Sequence, residues 1–75
     1  MKQIGALIKE ELIAQERTIT WFAHKLYIDR SNVYRLFKKN SIDTDLLMRI
    51  SLILEKDFFS ILAQSLEEKR NSPQL

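Results

Sequence analysis

Five basic side chains, Lys25, Arg30, Arg35, Lys38 and Lys39, fall between His24 and Asn40, where Asp29 is the one acid, so this segment carries a net +4. The rest of the 75-residue chain holds seven bases and nine acids, a net −2. Guanidinium and ammonium groups gathered in this way can hold a polyanion through charge-assisted hydrogen bonds and through release of its condensed counterions. The asymmetry therefore points to a phosphate-bearing partner. A solvated helical face has the same composition, so the placement of the charges has to decide between the two.

Other chemistries find little support. With no cysteine and a single histidine, His24, no set of side chains stands ready to share a metal ion. The acid pairs Glu10–Glu11 and Glu67–Glu68 are sequence neighbours that splay apart on a helix, so neither works as a general acid and base. There is no glycine-rich phosphate loop and no nucleophile beside a credible base. Neither an enzyme nor a cofactor is expected, and His24 reads as a surface residue near phosphate or in water. Absence of cysteine suits a reducing cytosol. The N-terminus lacks the unbroken apolar core of a signal peptide, and the longest uncharged apolar stretch, Ile50–Leu54, is too short to span a bilayer. A cytoplasmic location with no membrane partner is expected, and no small-molecule effector is evident.

The elements that must position the cations are helices. Hydrophobic residues make up 45% of the chain, and one glycine and one proline, Gly5 and Pro73, leave little material for hairpins. The pattern predicts an all-α, compact bundle of about five helices. A first helix over Lys2–Glu16 buries Ile4, Leu7, Ile8 and Leu12. Thr18 and Thr20 are both credible N-caps for a second, which turns Phe22, Ala23 and Leu26 inward and Trp21, His24 and Lys25 away. Asp29 is expected to cap a third, with Asn32 at its third position and Val33, Leu36 and Phe37 as its buried stripe. Asp43 caps a fourth with Leu47, Ile50 and Leu54 inward, and Asp57 a short fifth with Phe58, Ile61 and Leu62 inward. Residues 1–66 form one domain, and 67–75 a frayed polar tail.

The second and third predicted helices are short and are joined by Tyr27–Arg30, the spacing of a helix-turn-helix. Over residues 18–39, Ala23 is the small residue at the helix contact, Ile28 pins the turn, and Val33 and Leu36 seat the second helix. Successive residues rotate by about 100°, which puts Ser31, Arg35 and Lys38 opposite that buried stripe, with Tyr34 on one flank and Asn32 and Lys39 on the other. Such a face can enter the DNA major groove.

Here the chain resembles the Cro and phage-repressor family of helix-turn-helix proteins, the xenobiotic-response-element family. The resemblance covers about Ile4 to Leu62. It rests on Phe22-Ala23-His24-Lys25-Leu26, on Ile28-Asp29-Arg30-Ser31-Asn32-Val33, on Arg35-Leu36-Phe37, and on Asp43 to Leu54 as a fourth helix. It implies a lambda-repressor-like fold and sequence-specific binding of double-stranded DNA by a transcriptional regulator, commonly a homodimer. By position it gives base reading to Arg30, Ser31, Asn32, Tyr34 and Arg35, and phosphate contacts to Lys38, Lys39 and Asn40. Two residues depart from the family. Tyr27 stands where glycine is usual, so the turn is strained or shaped differently. Ile19 replaces a glutamine that touches phosphate, which leaves Thr18, Thr20 or backbone amides to compensate, with Lys25 as a further phosphate ligand.

Several of these residues keep a second reading. Arg35 forks onto guanine or is a solvated arginine paired with an acid. Asn32 reads adenine or completes the cap with Asp29, and Tyr34 touches DNA or shields the core edge. Lys38 and Lys39 hold phosphate or favour the helix dipole, and Trp21 packs on the domain or meets a partner. Met48 and Leu52, one turn apart on a fourth helix that is apolar nearly all round, join Phe59 of the fifth in a candidate dimer interface. The reading from a different class is a protein-interaction module on this scaffold, such as an antitoxin-like partner, in which Trp21, Met48 and Leu52 outweigh the cations.

Overall fold

Ile4, Ile8 and Leu12 lie one turn apart and are all buried, and the helix they stripe is the first of five in the computed structural model, which describes residues 2–71. The helices are α1 (Ile4–Ala14), α2 (Ile19–Leu26), α3 (Arg30–Phe37), α4 (Thr44–Leu54) and α5 (Phe58–Arg70), with no strand among the described residues. The protein is therefore all-α. Twelve side chains from all five helices close one core: Ile4, Ile8, Leu12, Phe22, Ala23, Leu26, Val33, Leu36, Leu47, Ile50, Leu54 and Phe58. Each large apolar side chain removed from water contributes about 1.5–3 kcal/mol, which offsets the chain entropy that a domain of this size struggles to overcome.

Short polar side chains fix most of the helix starts. The Thr18 hydroxyl accepts from the Trp21 backbone N–H at 3.0 Å, so Thr18 is the cap of α2 and Thr20 lies inside the helix as its second residue. Asp43 accepts from the Leu46 N–H at 2.8 Å. Asp57 accepts from the Ser60 N–H at 3.0 Å and from the Ser60 hydroxyl at 2.7 Å. These bonds, the hydroxyl's first, hold the Asp57 carboxyl below its ordinary range because they favour its charged form. Asp29 departs from expectation. It occupies the cap position of α3, yet its side chain accepts no capping bond. The carboxylate is exposed, where water serves it equally well, and the Asp29 carbonyl closes the first turn by accepting from Asn32 and Val33.

The helix ends are more demanding. Glu16, Tyr27 and Glu55 adopt left-handed backbone conformations with φ of 58°, 58° and 51°. After each, the next N–H reaches back five residues: Arg17 to Leu12, Ile28 to Ala23 and Lys56 to Ser51, at 3.0–3.1 Å. This is the Schellman arrangement, which glycine usually serves because it lacks the β-carbon that the left-handed region crowds. Side chains then tie the ends together. Gln15 donates to the Leu54 carbonyl at 2.6 Å, and Arg49 donates to the Leu26 carbonyl at 2.9 Å, satisfying acceptors that helix termini leave free.

Two boundaries differ from the sequence expectation. The first helix begins at Ile4 and ends at Ala14, because Gln3 is extended and Glu16 is left-handed. The fifth is the longest of the five, and it continues through Glu67–Arg70, where the tail was expected to start. An Arg70–Glu67 pair at 2.9 Å spans its last turn. Residues 72–75 of the expected tail, Pro73 included, lie outside the described residues.

Candidate nucleic-acid interface

The orientation of α3 is set from below by the chain's one glycine. A β-carbon on Gly5 would lie 2.4 Å from the Leu36 carbonyl oxygen and 2.6 Å from that of Phe37, far inside contact distance. Only a bare α-carbon lets the first turn of α1 approach so closely. The Gly5 N–H then donates to the Lys39 carbonyl at 3.1 Å. An orphan donor at the start of α1 thus meets an orphan acceptor just beyond α3, and opposite helix-end partial charges face one another. Val33 and Leu36 of α3 are buried against α1 and the core, and Phe37 is half-buried.

With that side fixed, the opposite side of α3 is open to solvent. Arg30, Ser31, Asn32, Tyr34, Arg35, Lys38, Lys39 and Asn40 are all exposed, so every expected base-reading residue on α3 and the phosphate group that trails it are open to solvent. No described side chain covers Ser31, Arg35 or Lys38. Among the described residues the ion pairs join Lys2 to Glu10, Lys56 to Glu11 and Arg70 to Glu67, and none takes up a cation of α3. Arg35 has instead a long 3.4 Å contact from Nη1 to the Asn32 amide oxygen, one turn away on its own helix. The reading of Arg35 as a solvated partner of an acid therefore has no acid to name.

Tyr34 is divided between its two readings. Its ring meets Phe37 edge-on with centroids 6.4 Å apart, shielding the core margin, while half of the residue remains exposed. Tyr27 resolves the question of the turn. It keeps the left-handed shape at a non-glycine residue, so the turn is strained and not reshaped, and its side chain is 90% exposed.

The flank of α2 holds a group that sequence reasoning did not assemble. Trp21 is half-buried against the core, which favours the packing reading. The Arg17 guanidinium lies over its ring at 4.4 Å from the centroid and the Lys25 ammonium at 5.9 Å. Lys25, expected at phosphate, thus has a resting place on the indole. Arg17 was not singled out at all, because it lies before the Thr18 cap, where helical spacing does not bring it beside Trp21. Thr18 and Thr20 are exposed at the start of α2, with the Thr18 oxygen already engaged as the cap.

On the fourth helix, Met48 is 56% and Leu52 73% exposed, and with half-buried Phe59 they line a shallow apolar depression. Of the expected dimer face, the monomer leaves Met48 and Leu52 uncovered and packs Phe59 in part against the core. Ser51 sits among them with a buried hydroxyl oxygen that has no hydrogen-bond partner among the described residues. No helix among the described residues is long and apolar enough to cross a membrane. Set against family models, curated proteins and solved structures, the chain finds no match in any of the three.

Proposed function

We propose that this chain is a sequence-specific, double-stranded-DNA-binding transcriptional regulator of the Cro and phage-repressor type, acting in the cytoplasm. In this reading α2 and α3 are its helix-turn-helix, and α3 lies in the major groove. One observation carries the reading: the side of α3 with Ser31, Arg35 and Lys38 is exposed, and no ion pair among the described residues takes up its cations. An unneutralised basic helix face whose reverse side is anchored in the core suits a groove that is wide enough to admit it. Arg35 and Asn32 read bases, with Arg30, Ser31 and Tyr34 beside them. Lys38, Lys39, Asn40, Thr18, Thr20 and Lys25 hold phosphates. Two copies joined through Met48, Leu52 and Phe59 read half-sites about 34 Å apart.

The test is a titration of duplex DNA at several salt concentrations. Each phosphate contact steepens the log–log salt dependence by about 0.9, so Lys38→Gln flattens the slope by about that amount and weakens all sequences alike. A wild-type chain that binds no duplex at low salt contradicts the reading. The exposed apolar patch at Met48 and Leu52 favours a second reading, a protein-interaction module such as an antitoxin-like partner, in which these residues and Trp21 outweigh the cations.

A further inference from the structure

A groove of about 310 Å³ runs between α3 and the first turn of α4, lined by Ile28, Asn32, Arg35, Leu36, Lys39 and Leu46. Leu36 is buried and Ile28 and Leu46 are half-buried, so the apolar side chains form the floor. Asn32, Arg35 and Lys39 are exposed and form the rim. No acid lines the groove, and neither Arg35 nor Lys39 has an ion-pair partner among the described residues. The other depressions differ. The one beside Tyr27 includes Asp29, and the one at Met48 is bordered by Glu55 and Asp57.

An apolar floor with two free cations on the rim is complementary to one chemical class. We propose that this groove binds a small amphiphilic carboxylate, with its apolar body on Ile28, Leu36 and Leu46 and its anion between Arg35 and Lys39. The volume lies at the lower end of small-ligand sites, which are typically about 300–1,000 Å³ and mostly apolar with a few placed polar groups. Burial of a phenyl- or alkyl-sized body supplies the attraction, and the two cations select for a carboxylate over a neutral head. Arg35 and Asn32 belong also to the proposed DNA face, so a bound acid and a duplex exclude each other. That consequence, but not the binding itself, rests on the DNA reading.

The experiment is an amide-resolved NMR titration of the isotope-labelled full chain with 4-phenylbutyrate, with 4-phenylbutanol and acetate as controls. Saturable shifts centred on Ile28, Leu36 and Leu46, with a Kd on the order of 1 mM, are expected for phenylbutyrate. Each control, and the R35Q/K39Q double variant of these two exposed residues, weakens binding about tenfold. Absence of saturable shifts, equal response to the alcohol, or undiminished binding by the double variant overturns the proposal. A second arm follows the anisotropy of a labelled duplex. Displacement by phenylbutyrate at concentrations matching its Kd supports mutual exclusion, and simultaneous binding contradicts it. If no duplex binds even without the acid, the DNA reading falls while the NMR arm still decides the groove.

Discussion

The backbone N–H of Gly5 and the carbonyl of Lys39 meet at 3.1 Å, and this single bond joins the start of the first helix to the end of the third. The contact exists because Gly5 brings no β-carbon into the space occupied by the Leu36 and Phe37 carbonyls. Together with the buried Val33 and Leu36, it seats α3 against α1 and leaves the opposite side chains facing solvent. The proposed function therefore depends on a residue that touches no ligand.

Replacing that glycine tests the dependence. Gly5→Ala places a methyl 2.4 Å from backbone, which cannot swing aside as a side chain would. Helix propensity alone predicts a gain from alanine. Overpacking, at about 1–3 kcal/mol, outweighs it, so the variant should unfold at lower denaturant concentration. Chemical denaturation followed by circular dichroism reads the change, and a stability equal to or above that of the wild type contradicts the contact.

The turn offers the opposite case. Tyr27 is left-handed at φ 58° and 90% exposed, so its side chain loses little by removal. A non-glycine residue in this region costs about 1–2 kcal/mol, part of which glycine returns as greater freedom in the unfolded chain. Tyr27→Gly is expected to stabilise by about 0.5–1 kcal/mol, with Glu16→Gly and Glu55→Gly acting in the same direction. Denaturation midpoints check this, and a loss of stability in all three would show that the ends are held by side chains.

The exposed pair on α4 predicts self-association. Met48 and Leu52 are open in the monomer, and an apolar patch beside Phe59 gains by covering itself with its own copy. Sedimentation equilibrium should find a dimer, and Leu52→Glu should weaken it at least about tenfold by burying an unpaired charge. A wild-type chain that sediments as a monomer, or a variant that dimerises unchanged, removes this face from the account.

Much of the fold was legible in the sequence because its signals are local. The buried rows Phe22–Ala23–Leu26 and Leu47–Ile50–Leu54 follow directly from helical spacing, and the caps at Asp43 and Asp57 from residue type, whereas the choice of Thr18 over Thr20 came only with the structure. The failures have local causes too. Asp29 has the right type for a cap, but an exposed carboxylate is free to choose water. The polar run Glu67–Arg70 looked like a tail, yet long charged residues are good helix formers and the pair at its end supports another turn. The role of Gly5 was not read, because a lone glycine reports a close approach without naming the element that approaches. The stacking of Arg17 and Lys25 on Trp21 is similarly spread over three positions, none of which signals it alone.

The central claim is that Arg35 and its neighbours on α3 choose the DNA sequence. Selection of bound duplexes from a random pool, with the wild-type chain and with Arg35→Ala, measures it most directly. The account predicts a two-fold symmetric site enriched by the wild type, with the variant losing its preference at one base pair of each half-site while still retaining duplex. A pool that stays random with the wild-type chain, or an identical preference in both chains, would contradict it.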